Sequence, residues 1–231
     1  MGIYEVTQSQ YTNMGGVNES LYTNEVDAAY RPAERISYKV LRGTGAGYYW
    51  PQNAHAVAPS SPLAKLRIRS GIADMDLPTE AQWEYACRAG TVTALNSGKN
   101  LSGKGNRNQS DANLDEVGWY EVNSPKNHQP IGLKKPNAWG LYDMHGNVRE
   151  WTRSWDLTWY LNSGGRKITR GGSFFDMANF CRSASRTSTN SCGLGDNLGF
   201  RVALVRIADI ERDEAEEIPE PTEEEYNGVN Q

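Results

Sequence analysis

Two short stretches of this chain hold residue types that could do chemistry. In PNAWGLYDMHGNVREW, Asp143, Asn147 and Glu150 stand within eight residues around Gly146. Two carboxylates, an amide oxygen and the carbonyls of a glycine turn are the hard donors calcium takes, about six to eight at a time. The same spacing suits a plain polar turn between buried tryptophans, and by itself it favours that reading. In RGGSFFDMANFCRSASR, two glycines that permit close backbone approach precede Phe174, Phe175, Asp176, Asn179, Phe180, Ser183 and Ser185. Rigid aromatic anchors interleaved with short polar side chains have the chemistry of an antibody paratope. The bland alternative is a pair of core phenylalanines beside a solvated loop, and these residues taken alone favour it.

The remaining reactive residues point away from other chemistries. Cys87, Cys181 and Cys192 are too few and too unevenly spaced for a disulfide framework, and no CxxC pair suggests zinc or redox work. At least one thiol is free or paired between molecules. His55, His128 and His145 lack the HxH or HxxxH spacing that sets two imidazoles on one metal.

The elements that must position these residues are short. Thr7 and Gln10 form a capping-box pattern after the alternating IYEV, predicting a strand and then a short helix that ends near Gly15 and Gly16. Ser61, Pro62, Leu63, Leu66 and Gly71 predict a second helix. In LPTEAQWEYACRAG, Thr79 and Gln82 complete a box, Trp83, Ala86 and Cys87 share a face, and Gly90 stops the turn. On that face Cys87 reads as a small buried hydrophobe. VGWYEV and HQPIGL read as short strands, while residues 18–59, including Tyr48, Tyr49 and Trp50, and residues 91–116 read as mostly loop.

Twenty-three glycines and seven tryptophans in 231 residues fit a loop-rich α+β domain with an aromatic core. The overall formal charge of −4 hides an asymmetry. Residues 209–231 hold ten acids and one arginine, net −9, leaving residues 1–208 at +5. The division expected is a folded domain over 1–207 and a disordered acidic tail over 208–231. The excess positive charge is modest and forms no basic run, so no nucleic-acid partner is expected. No apolar run is long enough to span a bilayer, and no basic n-region with an apolar stretch follows Met1. No membrane insertion and no signal peptide are expected in this chain; the compartment is left open.

Taken together, MGIYEVT, LPTEAQWEYACRAG, NAWGLYDMHGNVREW, RGGSFFDMANFCRSASR and LGFRVAL resemble, in order and spacing, the formylglycine-generating enzyme family, the sulfatase-modifying-factor domain. The resemblance covers nearly everything from residue 1 to about 205 and implies a variant of the C-type lectin fold with little regular secondary structure. It also implies a structural calcium held by the Asp143 and Glu150 side chains and the Gly146 and Val148 carbonyls. A second such site would begin at Asn113 and the Leu114 carbonyl, but its later ligands fall in a segment that is shorter here. Members that oxidise a sulfatase cysteine use a pair of thiols that binds copper(I). Here Cys181 matches the second thiol while Asp176 stands at the first, and a hard carboxylate does not replace a thiolate, so copper is not expected. Another branch joins sulfur to a histidine betaine with three-histidine iron from a separate helical domain, and this chain holds no such ligands.

The segment from RGGS to GFRV resembles the variable region of retroelement-diversified C-type-lectin proteins. The altered positions would be Phe174, Phe175, Asp176, Asn179, Phe180, Ser183, Ser185, Thr187, Ser188, Thr189 and Asn190, on a surface of about 174–197 facing a protein or other surface ligand. Trp155, Trp159 and Tyr160 could extend it. The favoured function is therefore a non-catalytic binding module on a calcium-ordered scaffold. The alternatives are a formylglycine-generating oxidase with an unconventional ligand set and a structural partner in a larger assembly.

Overall fold

Local signals fix the helices. Thr7 Oγ1 accepts from the Gln10 amide while the Gln10 side chain accepts from the Thr7 amide, starting α1 (Gln8–Asn13). The same reciprocal box at Thr79 and Gln82 starts α4 (Glu80–Arg88), and Ser61 caps α3 (Pro62–Ser70) before left-handed Gly71 ends it. Two short helices emerge from stretches that read as loop. In α2 (Tyr38–Arg42), Ser37 accepts from the Val40 amide and Tyr38 and Leu41 are buried. In α5 (Ala112–Asp115), Asp111 accepts from the amides of Asn113 and Leu114. Helices of four or five residues are too short to leave a periodicity signal.

A computed structural model describes residues 1–43, 56–124, 127–156 and 166–205 of the chain. The cluster Tyr48, Tyr49 and Trp50, the residues Trp159 and Tyr160, and the acidic segment 208–231 lie outside the described residues.

A four-stranded sheet organises the rest, in the order β6 (Arg186–Asn190), β5 (Arg166–Arg170), β4 (Arg149–Trp155) and β7 (Leu198–Gly199). β5 is antiparallel to both β4 and β6, whereas β7 runs parallel to β4, placing Gly199 opposite Glu150. Two further pairs flank it: β1 (Met75–Asp76) with β8 (Ala203–Leu204), antiparallel, and β2 (Gly118–Trp119) with β3 (His145–Gly146), parallel.

Three expected strands are shorter or missing. IYEV bends at Ile3 and Tyr4 and forms no ladder, because its bonds go to separate places: Val6 N–H donates to the Phe200 carbonyl, Tyr142 N–H to Ile3, and Ala33 N–H to Val6. VGWYEV keeps only Gly118–Trp119, since the Asn123 side chain accepts the Tyr120 amide and turns the chain. HQPIGL forms no strand.

The largest apolar cluster draws on residues from Val6 to Phe200 and includes Trp151, whose indole donates to the Ile36 carbonyl at 2.7 Å. A second cluster joins Leu95, Leu114, Tyr120 and Cys181; a third joins Trp83, Ala86, Cys87 and Met144, the buried helix-face setting expected for Cys87.

Between these clusters lies a buried ionic knot. Arg201, following β7, donates from Nε to Glu150 Oε2 and from Nη2 to Glu150 Oε1, both at 2.7 Å. It also donates to the carbonyls of Gly2, Ile3 and Tyr142. Removing one partner of a buried pair strands the other, at a cost of about 3–5 kcal/mol. Arg201→Met should therefore lower unfolding free energy by about that amount in denaturant titration, and adding Glu150→Met should recover part of the loss. A double variant no more stable than Arg201→Met would mean the pair is not what holds these segments.

Candidate functional site

The turn before β4 is built by strained backbone. Asp143 and Asn147 adopt left-handed conformations, and Gly146, at φ 93°, has no room for a Cβ against the Trp119 backbone. This geometry aims polar side chains inward. Glu5 accepts from the Asn147 side-chain amide at 2.7 Å and from the Val148 amide at 3.1 Å. Burial, with Asp143 and Glu150 nearby, holds Glu5 well above the usual carboxylate range. Asp143 accepts from the Gly132 amide at 2.7 Å, its other oxygen is buried without a hydrogen-bond partner, and burial raises its pKa to about 6.

The calcium that the family resemblance implies would draw on these positions. Asp143 has an orphaned oxygen to offer; Glu150 Oε1 accepts from Arg201 alone and keeps a lone pair, while its Oε2 is held by Arg201 and by the Trp83 indole at 2.6 Å. A calcium ligated by Glu150 would share that carboxylate with the Arg201 guanidinium. Among the described residues, no three His, Cys, Asp or Glu side chains are grouped to hold a metal ion. At Asn113 the side-chain amide donates to the Asn100 carbonyl at 2.9 Å, so it braces a loop.

The second stretch divides into inward and outward residues. Gly171 and Gly172 turn the chain in the left-handed region, and a Cβ on Gly172 would stand 2.7 Å from Cys181 Sγ. Phe174 is only 2 % exposed, its amide donating to the Asn147 carbonyl and its ring edge-on to Tyr22 and His128. Asp176 is also buried, held bidentately by Arg149 and accepting from Ser173 Oγ at 2.6 Å. Ser183 is buried and donates to the Ala94 carbonyl. The expectation that Phe174, Asp176 and Ser183 face a ligand is thus corrected: each is bonded or packed into the frame.

The other positions point outward to different degrees. Phe175 is 67 % exposed and Phe180 is 42 % exposed. Asn190 is exposed, and Asn179, Ser185, Thr187, Ser188 and Thr189 are half-buried. Ser185 donates to the Asn179 carbonyl, tying the 3-10 turn Ala178–Cys181 to the approach to β6. Thr187, Ser188 and Thr189 lie on β6, the edge strand, where Arg166 donates to Ser188 Oγ. Trp155 is half-buried, with the Lys167 ammonium over its ring.

Cys181 is buried, and burial together with the nearby Asp176 carboxylate pushes its thiol far above the usual range. Cys87 is likewise raised to about 12 by burial. Neither supplies the exposed, acidic thiol of a reactive cysteine. Cys181 with an arginine-paired Asp176 does not fit copper(I), which wants soft thiolates. His145 is also structural. Its Nε2 accepts from the Asn96 amide at 3.0 Å, its Nδ1 meets the Cys181 carbonyl at 2.7 Å, and burial lowers its pKa to about 4.

Sequence reasoning missed Glu5, Arg149 and Arg201. A signal existed for Arg201: an arginine inside the apolar run LGFRVAL requires a buried partner. Arg149 sits in the polar run NVRE and gave none, and Glu5 read as the polar member of the alternating IYEV. Arg149→Ala should cost roughly 3 kcal/mol of stability by stranding the Asp176 carboxylate, and Arg149→Ala with Asp176→Ala should cost less. Losses that simply add in a double-mutant cycle would mean the two are not coupled.

Comparison with known proteins places this architecture. The sulfatase-modifying factor enzyme 1-like domain matches residues 1–206. The chain is 28% identical to the chaperone protein LppX of Paenibacillus barcinonensis, covering 87% of this chain and 78% of that one. It is 32% identical to the formylglycine-generating enzyme of Bos taurus, over 86% of this chain but only 59% of the enzyme. Treponema denticola variable protein 1 superposes with a TM-score of 0.67 at 24% identity, covering 88% of this chain and 84% of that one. The fold is the C-type-lectin-like fold of this family, with helices and strands both short. With nearly its whole described length matched, the chain belongs to the sulfatase-modifying factor enzyme 1-like domain family.

Proposed function

We propose that this chain is a non-catalytic binding protein that presents the outward side chains of residues 174–197 to a protein ligand. The observation that carries this reading is the division within one short segment. Phe174, Asp176, Cys181 and Ser183 are packed or bonded inward, while Phe175 and Phe180 keep large apolar surfaces in solvent. Exposed aromatics on a fixed backbone give contact area at small entropic cost.

The likeness to a variable protein supports a sharper form, in which the outward positions are diversified by a retroelement. Such diversification needs side chains that hold no part of the frame, and Phe175 suits it: among the described residues its ring makes a T-shaped contact with Phe174 and is otherwise 67 % exposed. A near-identical template repeat and a reverse transcriptase beside the coding sequence are the expected finding; a neighbourhood without either contradicts the sharper form.

Family membership favours one second reading, oxidation of a sulfatase cysteine. The Arg149–Asp176 pair argues against it, because the position aligned with one of the two thiols carries a closed ion pair. With copper(I) and a sulfatase-type cysteine peptide, we expect no formylglycine product, and Cys181→Ala should alter stability alone. Copper-dependent turnover abolished by Cys181→Ala would overturn the binding-protein reading.

A further inference from the structure

The charges bordering the exposed phenylalanines are unevenly satisfied. Arg182 is exposed, and its Nε donates to the Asn179 carbonyl at 2.7 Å, anchoring the stem of the guanidinium beside Phe180. Gly105 packs so closely on Asn179 that a Cβ there would stand 2.8 Å from Asn179 Cβ, and this brings the loop carrying exposed Lys104 to the same place. Among the described residues, neither Arg182 nor Lys104 is paired with a carboxylate.

Two acids of this region are already used. Asp176 is closed by Arg149, and Glu121 accepts from Arg107 and from the Asn108 amide. Asp196 is exposed and has no ion pair among the described residues; burial and its charge raise the pKa of the Tyr22 phenol. The edge of the surface around Asn179 is therefore cationic and apolar together, with Asn179 Oδ1 buried beside it without a hydrogen-bond partner.

Resting on the binding-protein reading above, we propose that Phe175, Phe180, Arg182 and Lys104 form one docking surface for an acidic protein segment. Its recognition element is a carboxylate next to an aromatic or aliphatic side chain. The carboxylate meets Arg182, with Lys104 adding to the field, and the apolar neighbour covers the Phe175 and Phe180 rings. An arginine beside aromatics is the composition of an interface anchor, and charge complementarity sets which partners are accepted.

The test is selection of a displayed random peptide library against the full chain, then titration of the selected peptides as synthetic probes at low and high salt. The expected peptides carry Asp or Glu beside an apolar residue and weaken with salt. They should lose about tenfold in affinity to Arg182→Glu and a further part to Lys104→Glu. Replacing the peptide acid by lysine should restore binding to Arg182→Glu. Peptides that need Phe175 and Phe180 but ignore Arg182→Glu overturn the acidic-partner assignment and leave the binding surface standing. Peptides indifferent to Phe175→Ala and Phe180→Ala overturn both. If changing the acids of residues 209–231 to their amides strengthens binding severalfold, the occupant is the chain's own acidic segment, and a separate partner is overturned.

Discussion

The arrangement depends on one buried guanidinium. Arg201 is fully enclosed, and its donors reach the chain start at Gly2 and Ile3, the turn at Tyr142 and the carboxylate of Glu150 on the central strand. A charge in that position has to be neutralised and hydrogen-bonded on every side, so the backbone has little freedom where those partners meet. Trp83 adds its indole to Glu150, bringing helix α4 into the same knot. Stretches far apart in sequence are fixed relative to each other by side chains, which a fold with such short strands could not achieve through its ladders.

From that knot the constraint passes outward in steps. Glu150 is opposite Arg170 on β5 and Gly199 on β7, so the sheet register follows from it. The preceding residue, Arg149, closes on Asp176 and pins the loop after the Gly171–Gly172 turn. Asn147 receives the Phe174 amide at its carbonyl and gives its side-chain amide to Glu5. Beyond these anchors, Phe175 stands largely in solvent and Phe180 partly so. A scaffold that spends its polar contacts on one face of a loop leaves the other face to vary without disturbing the fold, and the binding reading depends on that asymmetry.

Legibility in the sequence followed the range of the interactions. Helices α1, α3 and α4 could be read because their caps and faces are local, and the motif order was enough for the family and its lectin-like fold. The strands were poorly legible, since two-residue strands have no period and VGWYEV is cut short by a side chain, Asn123. In the loop, composition identified the segment but not its inside from its outside. Phe174 and Phe175 are the same residue type in adjacent positions, and only the meeting with Tyr22 and His128 decides which is buried. The pairing of Glu150 with Arg201 was not legible in the motif, because the partner stands fifty-one residues away.

The most direct measurement of the central claim is a substitution scan of residues 171–199, scoring folded stability by protease resistance of displayed variants. The account predicts broad tolerance at Phe175 and Phe180, and sharp intolerance at Gly172, Phe174, Asp176, Cys181 and Ser183. Uniform intolerance along the segment, or tolerance at Asp176 equal to that at Phe175, would contradict it.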